Sequence, residues 1–159
     1  LNDFESYERL VELVDLYMEL QVTDPNRILS PIRIWEMVEI ASYSAEEKED
    51  WKKVEKYNRY LTSERRSRFF LKEDKGDLYR ADLGLAKALI YISEDLAKEL
   101  PFVENNLERR LLQSKIEGIE KEVKEVLDRL IVVKGESTAD VTIRILAKEL
   151  LFQFNNNLI

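Results

Sequence analysis

The segment VENNLERRLLQSKIEGIEKEVKEVLDRLIVV, residues 103–133, decides the fold because its apolar residues are the most regularly spaced in the chain. Intervals of four and three residues separate six of them, which we call the heptad seam: Leu112, Ile116, Ile119, Val123, Val126 and Leu130. This spacing predicts a long helix with one apolar side. The heptad seam is therefore a candidate oligomer interface, and packing inside the chain's own bundle is the alternative. Leu127 and Ile131 widen the apolar side, which favours intramolecular packing or a multi-helix dimer.

Outward from this segment, the sequence predicts further helices. Only four Gly and three Pro occur among 159 residues, which favours long helices over a turn-rich β architecture. Helix starts are indicated by Asn2-x-x-Glu5, Ser30-Pro31, Ser44-x-x-Glu47, Asp82 and Ser137. The predicted helices span residues 2–22, 30–43, 44–61, 83–100, 103–133 and 141–154.

One stretch has the pattern of β structure. The aromatic run 68–72 and the segment 77–80 flank Glu73-Asp74-Lys75-Gly76, which predicts a short hairpin near residues 68–80. The predicted fold is therefore mostly α, a bundle of about six helices with one short, wing-like β-hairpin. We divide it into an N-terminal helix (1–24), a helical core with the hairpin (25–100) and a C-terminal helical hairpin (101–159) that is a possible dimerisation region.

The composition excludes several chemistries. The chain has no Cys and no His, which excludes a thiol nucleophile, a disulfide framework, a zinc finger, haem ligation and a His-dependent triad. We therefore expect a non-enzymatic protein without a cofactor or metal. No run of 18 apolar residues and no signal peptide occurs, so we expect a cytoplasmic protein without a membrane partner. Abundant Glu, Lys, Arg, Leu and Ile with no Cys is also typical of thermophile proteins.

The net charge of −7 is unevenly distributed along the chain. Residues 56–80 contain eight bases and four acids, whereas both flanking regions are acidic. Cations on a presented surface bind phosphates, and the interleaved Tyr57 and Tyr60 suit contact with sugars or bases. A solvated helix end with arginines paired to nearby glutamates is the alternative. The candidate DNA-binding residues are Arg59, Arg65, Arg66, Arg68, Lys72 and Lys75.

A family resemblance supports the same function. The opening Ile28-Leu29-Ser30-Pro31, the wing-like stretch 69–80 and the stretch 83–89 together resemble a winged-helix DNA-binding domain of the MarR or PadR kind. The resemblance covers residues 28–92 and implies a transcriptional regulator that dimerises through its terminal helices. The region of the recognition helix does not match. The acidic run 46–50 replaces an apolar helix, and residues 45–67 lack a turn signal, so one long helix there is an alternative.

Two further functions are compatible with the sequence. The first is a non-catalytic helical subunit or adaptor of a larger nucleic-acid-processing complex, of the replication or CRISPR type. The second is an all-α, Mg-dependent nucleotide pyrophosphatase, a family that the chain remotely resembles. This resemblance is based on the acid pairs Glu36-x-x-Glu39 and Glu47-x-x-Asp50, whose carboxylates could together bind Mg²⁺. The spacer between these pairs is shorter than in that family.

Overall fold

A computed structural model of the chain describes residues 3–23, 30–67 and 75–156. These residues form α-helices, one short 3₁₀-helix and the turns between them, and none of them lies in a β-strand. The mostly helical fold predicted from the sequence is therefore confirmed. In chain order the α-helices are α1 (Asp3–Thr23), α2 (Pro31–Glu47), α3 (Trp51–Ser67), α4 (Lys75–Glu99), α5 (Asn106–Ile131) and α6 (Thr138–Asn155), and the 3₁₀-helix is Leu100–Phe102.

The predicted β-hairpin is wrong in its second strand. Residues 77–80 lie in α4, which begins at Lys75. Tyr79 and Leu83 both pack against the core at helical spacing, so burial of this face favours helix over strand. The first predicted strand, 68–72, lies outside the described residues. Asp82 is not a helix cap, because it lies inside α4 and is only 4% exposed.

The boundary between α2 and α3 also differs from the prediction. The pattern Ser44-x-x-Glu47 does not start a helix, because α2 continues to Glu47 and fully buries Ala45. A single helix over residues 45–67 is wrong as well, since α3 begins at Trp51 after a short connection. In that connection Glu49 has a φ of 55°, a left-handed conformation that is strained for a residue with a side chain. The predicted start of α2 is confirmed, because Ser30 Oγ accepts a hydrogen bond from the Arg33 backbone N–H at 3.3 Å.

The chain divides into two compact units, Leu1–Asp74 and Lys75–Ile159, which we call the first and second units. The predicted domain divisions at 24/25 and 100/101 fall inside these units. In the first unit α2 packs against both α1 and α3. The Trp35 indole N–H donates to the Leu61 carbonyl at 3.4 Å and so links α2 to α3. The most deeply buried side chains of the first unit include Val14, Val38, Val54 and Tyr57.

The second unit is a three-helix bundle in which α4 packs against α5 and α6, and α5 packs against α6. The apolar residues of α5 that recur at heptad spacing supply the central side chains of this bundle. Its core comprises Leu85, Ala86, Leu89, Ile90, Val123, Val126, Leu127, Leu130, Val133, Ile143 and Ala147.

Side-chain hydrogen bonds link the connection between α5 and α6 to the first turns of α6. Ser137 caps α6 as predicted: its Oγ accepts from the Asp140 backbone N–H at 3.1 Å and donates to Asp140 Oδ2 at 2.6 Å. Arg144 Nη1 donates to the carbonyls of Val133 at 2.9 Å and Gly135 at 2.6 Å. Gly135 does not directly cap α5, whose C-cap is Val132, but its φ of 146° requires glycine.

Candidate functional site

The predicted DNA-binding cations are divided between the first unit, the second unit and residues outside the described part of the chain. Arg59, Arg65 and Arg66 lie on α3, whereas Lys75 is the first residue of α4 in the second unit. Arg68 and Lys72 lie outside the described residues. Arg59 Nη2 donates to Glu55 Oε2 at 3.2 Å, one helical turn earlier. The structure therefore places three of the six predicted cations on one helix, and α3 carries six bases and two acids in 17 residues.

A polar cluster between α1 and α3 was not predicted. We call it the α1–α3 cluster, and its centre is the carboxylate of Asp15 on α1. Lys53 Nζ lies 2.6 Å from Asp15 Oδ2, while Lys56 Nζ and the Tyr57 hydroxyl lie 3.0 and 2.9 Å from Oδ1. About two turns earlier on α1, the Tyr7 hydroxyl donates to Oδ2 of Asp50, in the connection before α3, at 2.8 Å. These bonds fix the position of α1 along α3.

The α1–α3 cluster changes the protonation of its members. Burial would raise the pKa of Asp15, but hydrogen bonds from Lys53, Lys56 and Tyr57 outweigh it, so the pKa lies below its usual value. Burial is the larger cause that raises the pKa of Tyr57, and the hydrogen bond to Asp15 is the second. Burial and the Asp50 carboxylate likewise raise the pKa of Tyr7. Both phenols therefore remain protonated donors, and neither is activated as a base or nucleophile.

One sequence signal indicated this cluster. Asp15 follows Val11 by four residues and precedes Met18 by three, so it lies on the apolar side of α1. A carboxylate at such a position needs polar partners when the helix packs. The identity of those partners depends on the register of α1 against α3, which helical spacing does not determine.

The acid pairs proposed as magnesium ligands do not form a site. Glu36 is exposed, and its carboxylate lies 3.6 Å from Arg33 Nη1. Asp50 accepts the hydrogen bond from Tyr7. Among the residues that the structure describes, which include all four acids of the two pairs, no group of three or more acidic side chains is arranged to hold a metal ion. The carboxylate arrangement expected from the pyrophosphatase resemblance is therefore absent from the described part of the chain.

Most of the heptad seam lies in the core of the second unit. Ile116, Val123, Val126 and Leu130 are at most 7% exposed, and the last three pack among the core residues contributed by α4 and α6. Ile119 is partly buried against the same core, and Leu112 is half-buried. Contacts within the chain thus occupy the side of α5 predicted as an oligomer interface. Oligomerisation stays a prediction, and it requires surface beyond these buried side chains.

Several large apolar side chains of the second unit face outward. On α5 and the preceding 3₁₀-helix, Phe102 is 83% exposed, Leu107 66% and Leu111 63%. On α6, Ile145 and Phe152 are 58% and 62% exposed and lie seven residues apart on one side, which we call the α6 face. Ile143 and Ala147 of the same helix are buried in the core. Helix α6 therefore has large apolar residues on an inward and an outward side, and on the outward side the exposed Lys148 and Glu149 lie between Ile145 and Phe152.

Comparisons with known proteins do not assign a function to these surfaces. No family model, curated protein or solved structure matches the chain. Among the described helices, none combines the length and apolar character needed to span a membrane.

Proposed function

We propose that the chain is a non-enzymatic helical subunit that binds other protein chains. The observation that carries this proposal is the exposure of Ile145 and Phe152 on the outward side of α6, opposite the core residues Ile143 and Ala147. A surface helix of an isolated bundle normally has one apolar side, directed at its own core. Large apolar residues on the outward side suit a helix that lies between its own bundle and a partner, and exposed apolar side chains beside polar ones are typical of protein interfaces.

The rest of the described chemistry is consistent with this class of function. Tyr7 and Tyr57 have raised pKa values and serve as structural donors to Asp50 and Asp15. The lysines nearest to Asp15 are bound to its carboxylate. These polar groups link α1 to α3 and to the connection before it, and their arrangement does not provide a base next to a nucleophile.

The experiment compares two variants that carry the same added charge. Ile145→Asp/Phe152→Asp changes the α6 face, and Gln113→Asp/Thr138→Asp places two aspartates at exposed positions of α5 and α6. Tagged proteins are used to capture partners from extracts of the native cell, and thermal unfolding is measured in parallel. We expect the wild type and the control variant to retain one stoichiometric partner that the α6 variant loses without a loss of folding. Equal capture by all three proteins would contradict the proposal.

DNA binding is a second candidate function, and the charge of α3 favours it. Arg59, Arg65 and Arg66 extend along one continuous helix with a net charge of +4. Such a helix suits sequence-independent contact with phosphates, because contacts of this kind need cations and no base readout. The winged-helix version of this candidate lacks its second wing strand, since residues 77–80 are helical.

A further inference from the structure

We propose that the exposed end of α5 pairs in antiparallel orientation with the same helix of a second copy of the chain. The contact surface consists of Leu107, Leu111, Ser114 and Gly118, which we call the α5 face. This inference goes beyond the proposed function, because it concerns a different helix and a different partner from the α6 face. It is also separate from the heptad seam, which lies on the buried side of α5.

The α5 face forms a continuous exposed stripe. Its four residues are separated by intervals of four, three and four, which places them on one side of the helix. Leu107 and Leu111 are each more than 60% exposed, and Ser114 and Gly118 are exposed as well. The stripe lies on the opposite side of the helix from Val123 and Leu127, so a second helix can contact it without disturbing the core.

Gly118 has no packing role among the described residues. A Cβ atom added to it would meet nothing within 4 Å. A glycine inside a helix costs about 1 kcal/mol relative to alanine, so its presence on an open helix surface is unfavourable for the isolated chain. The open space above Gly118 can accept a large side chain from a neighbouring helix, and small residues allow two helices to approach closely.

Antiparallel pairing matches large residues with small ones. With a two-fold axis between Leu112 and Gln113, Leu107 lies opposite Gly118 of the partner subunit. In the next layer Leu111 lies opposite Ser114 of the partner subunit. The symmetry repeats both layers, so each exposed leucine meets a small residue, as knobs-into-holes packing requires. A parallel arrangement would instead place Leu against Leu and Gly against Gly.

The charges beside the stripe also select the antiparallel orientation. Glu108 and Lys115 flank it on one side, and Arg110 and Glu117 on the other; all four are exposed. In antiparallel pairs, equivalent flanks of the two helices meet. Glu108 then lies near Lys115 of the partner subunit, and Arg110 near Glu117 of the partner subunit. In parallel pairs opposite flanks meet, which would bring Arg110 towards Lys115 of the partner subunit and repel both.

The surface is small, so the dimer is expected to be weak. The α5 face extends over residues 107–118, about 17 Å at the helical rise of 1.5 Å per residue. Stable interfaces bury about 800 Å² per partner, more than two exposed leucines and their neighbours provide. We therefore expect a monomer at low concentration and a dimer at high concentration, with both species fully helical.

Disulfide trapping tests the orientation. Because the chain has no cysteine, each introduced cysteine is the single thiol of its variant. Leu107→Cys and Gly118→Cys proteins are oxidised separately and as an equal mixture. Opposed positions in one layer are close enough for a disulfide, whereas equivalent positions lie far apart along the antiparallel helices. We expect the mixture to give a covalent heterodimer and each protein by itself to give little. Efficient trapping of either protein by itself, or no trapping in the mixture, would overturn the proposal.

Charge reversal tests the contacts without any disulfide. Sedimentation equilibrium across a concentration series gives the dimer dissociation constant for Arg110→Glu and for Arg110→Glu/Glu117→Arg. The single variant places like charges together at two symmetry-related sites, and we expect it to weaken the dimer about tenfold. The double variant should recover most of this loss. A wild type that remains monomeric up to millimolar concentration, or a double variant that is no tighter than the single one, would refute the pairing.

Discussion

Lys53 on α3 donates a hydrogen bond to the Asp15 carboxylate on α1 at 2.6 Å, across 38 residues of sequence. The same carboxylate binds Lys56 and Tyr57, so one acid on α1 has three partners on α3. Removing a shared acceptor leaves several donors without their partner, which costs more than the loss of one exposed ion pair. The position of α1 in the first unit therefore depends strongly on Asp15.

This arrangement predicts how stability depends on pH. The pKa of Asp15 is lower in the folded protein than the ordinary value of about 3.9 in an unfolded chain. The carboxylate therefore contributes its full stability above the unfolded pKa. That contribution is lost as the pH falls through the lower, folded-state pKa. We expect the free energy of unfolding of wild type to decrease below about pH 4, as measured by urea unfolding followed by tryptophan fluorescence.

The control for this effect is Asp15→Asn, which keeps the shape of the side chain and removes its titration. It should be less stable than wild type at pH 7, and its stability should decrease less on acidification. Equal acid dependence in the two proteins would show that other carboxylates dominate the pH response.

Two glycines are expected to respond in opposite directions to the same substitution. Gly135 has a φ of 146°, and a Cβ there would overlap the Asp140 carboxylate, so Gly135→Ala should lower the free energy of unfolding by about 1–3 kcal/mol. Gly118 is helical with open space around it, so Gly118→Ala should raise it by about 0.5–1 kcal/mol. Thermal unfolding of both variants at low protein concentration measures the difference. A destabilised Gly118→Ala protein would indicate that the space around this glycine is occupied.

The two sides of α5 should differ in their sensitivity to truncation. Leu127 is fully buried, and Leu127→Ala should cost about 2–5 kcal/mol because it leaves a cavity in the core of the second unit. Leu111 is 63% exposed, and Leu111→Ala should change the stability of the monomer by less than about 0.5 kcal/mol. Chemical unfolding followed by circular dichroism compares the two. Equal losses would mean that Leu111 is covered within the single chain.

The DNA hypothesis makes a prediction about salt. If the basic end of α3 and the following Arg68 contact phosphates, Arg65→Ala/Arg66→Ala/Arg68→Ala should weaken binding to a random-sequence duplex. The slope of log affinity against log salt should also decrease by roughly one unit per lost contact. Fluorescence anisotropy across a salt series measures both quantities. The control Lys98→Ala/Lys121→Ala/Lys134→Ala removes the same charge from the second unit. An unchanged slope in the arginine variant would exclude these residues from a DNA interface.

The helices of this chain could largely be predicted from sequence, and their ends less well. The start of α2 at Ser30-Pro31 and of α6 at Ser137 follow from local capping chemistry, which requires only neighbouring residues. The start of α4 could not be found in this way. The aromatic residues around Tyr79 fit a strand by composition, and tertiary packing of Tyr79 against the core favours the helix.

The candidate sites show the same division between local and long-range information. The spacing of the heptad seam identified an apolar side of α5, but spacing does not distinguish a partner in the same chain from one in another. The three-dimensional packing of Val123 and Val126 against α4 and α6 settles their contacts. The α1–α3 cluster depends on the register between two helices about 40 residues apart, which no local pattern encodes.

The positions of the two tryptophans have a practical consequence for folding studies. Trp35 and Trp51 both lie in the first unit, and the chain has only these two. Intrinsic tryptophan emission therefore reports the melting of one unit, whereas far-ultraviolet dichroism reports helices of both. Coincident transitions in the two signals would mean that the units unfold as one cooperative block, and separated transitions would give each unit its own stability without cutting the chain.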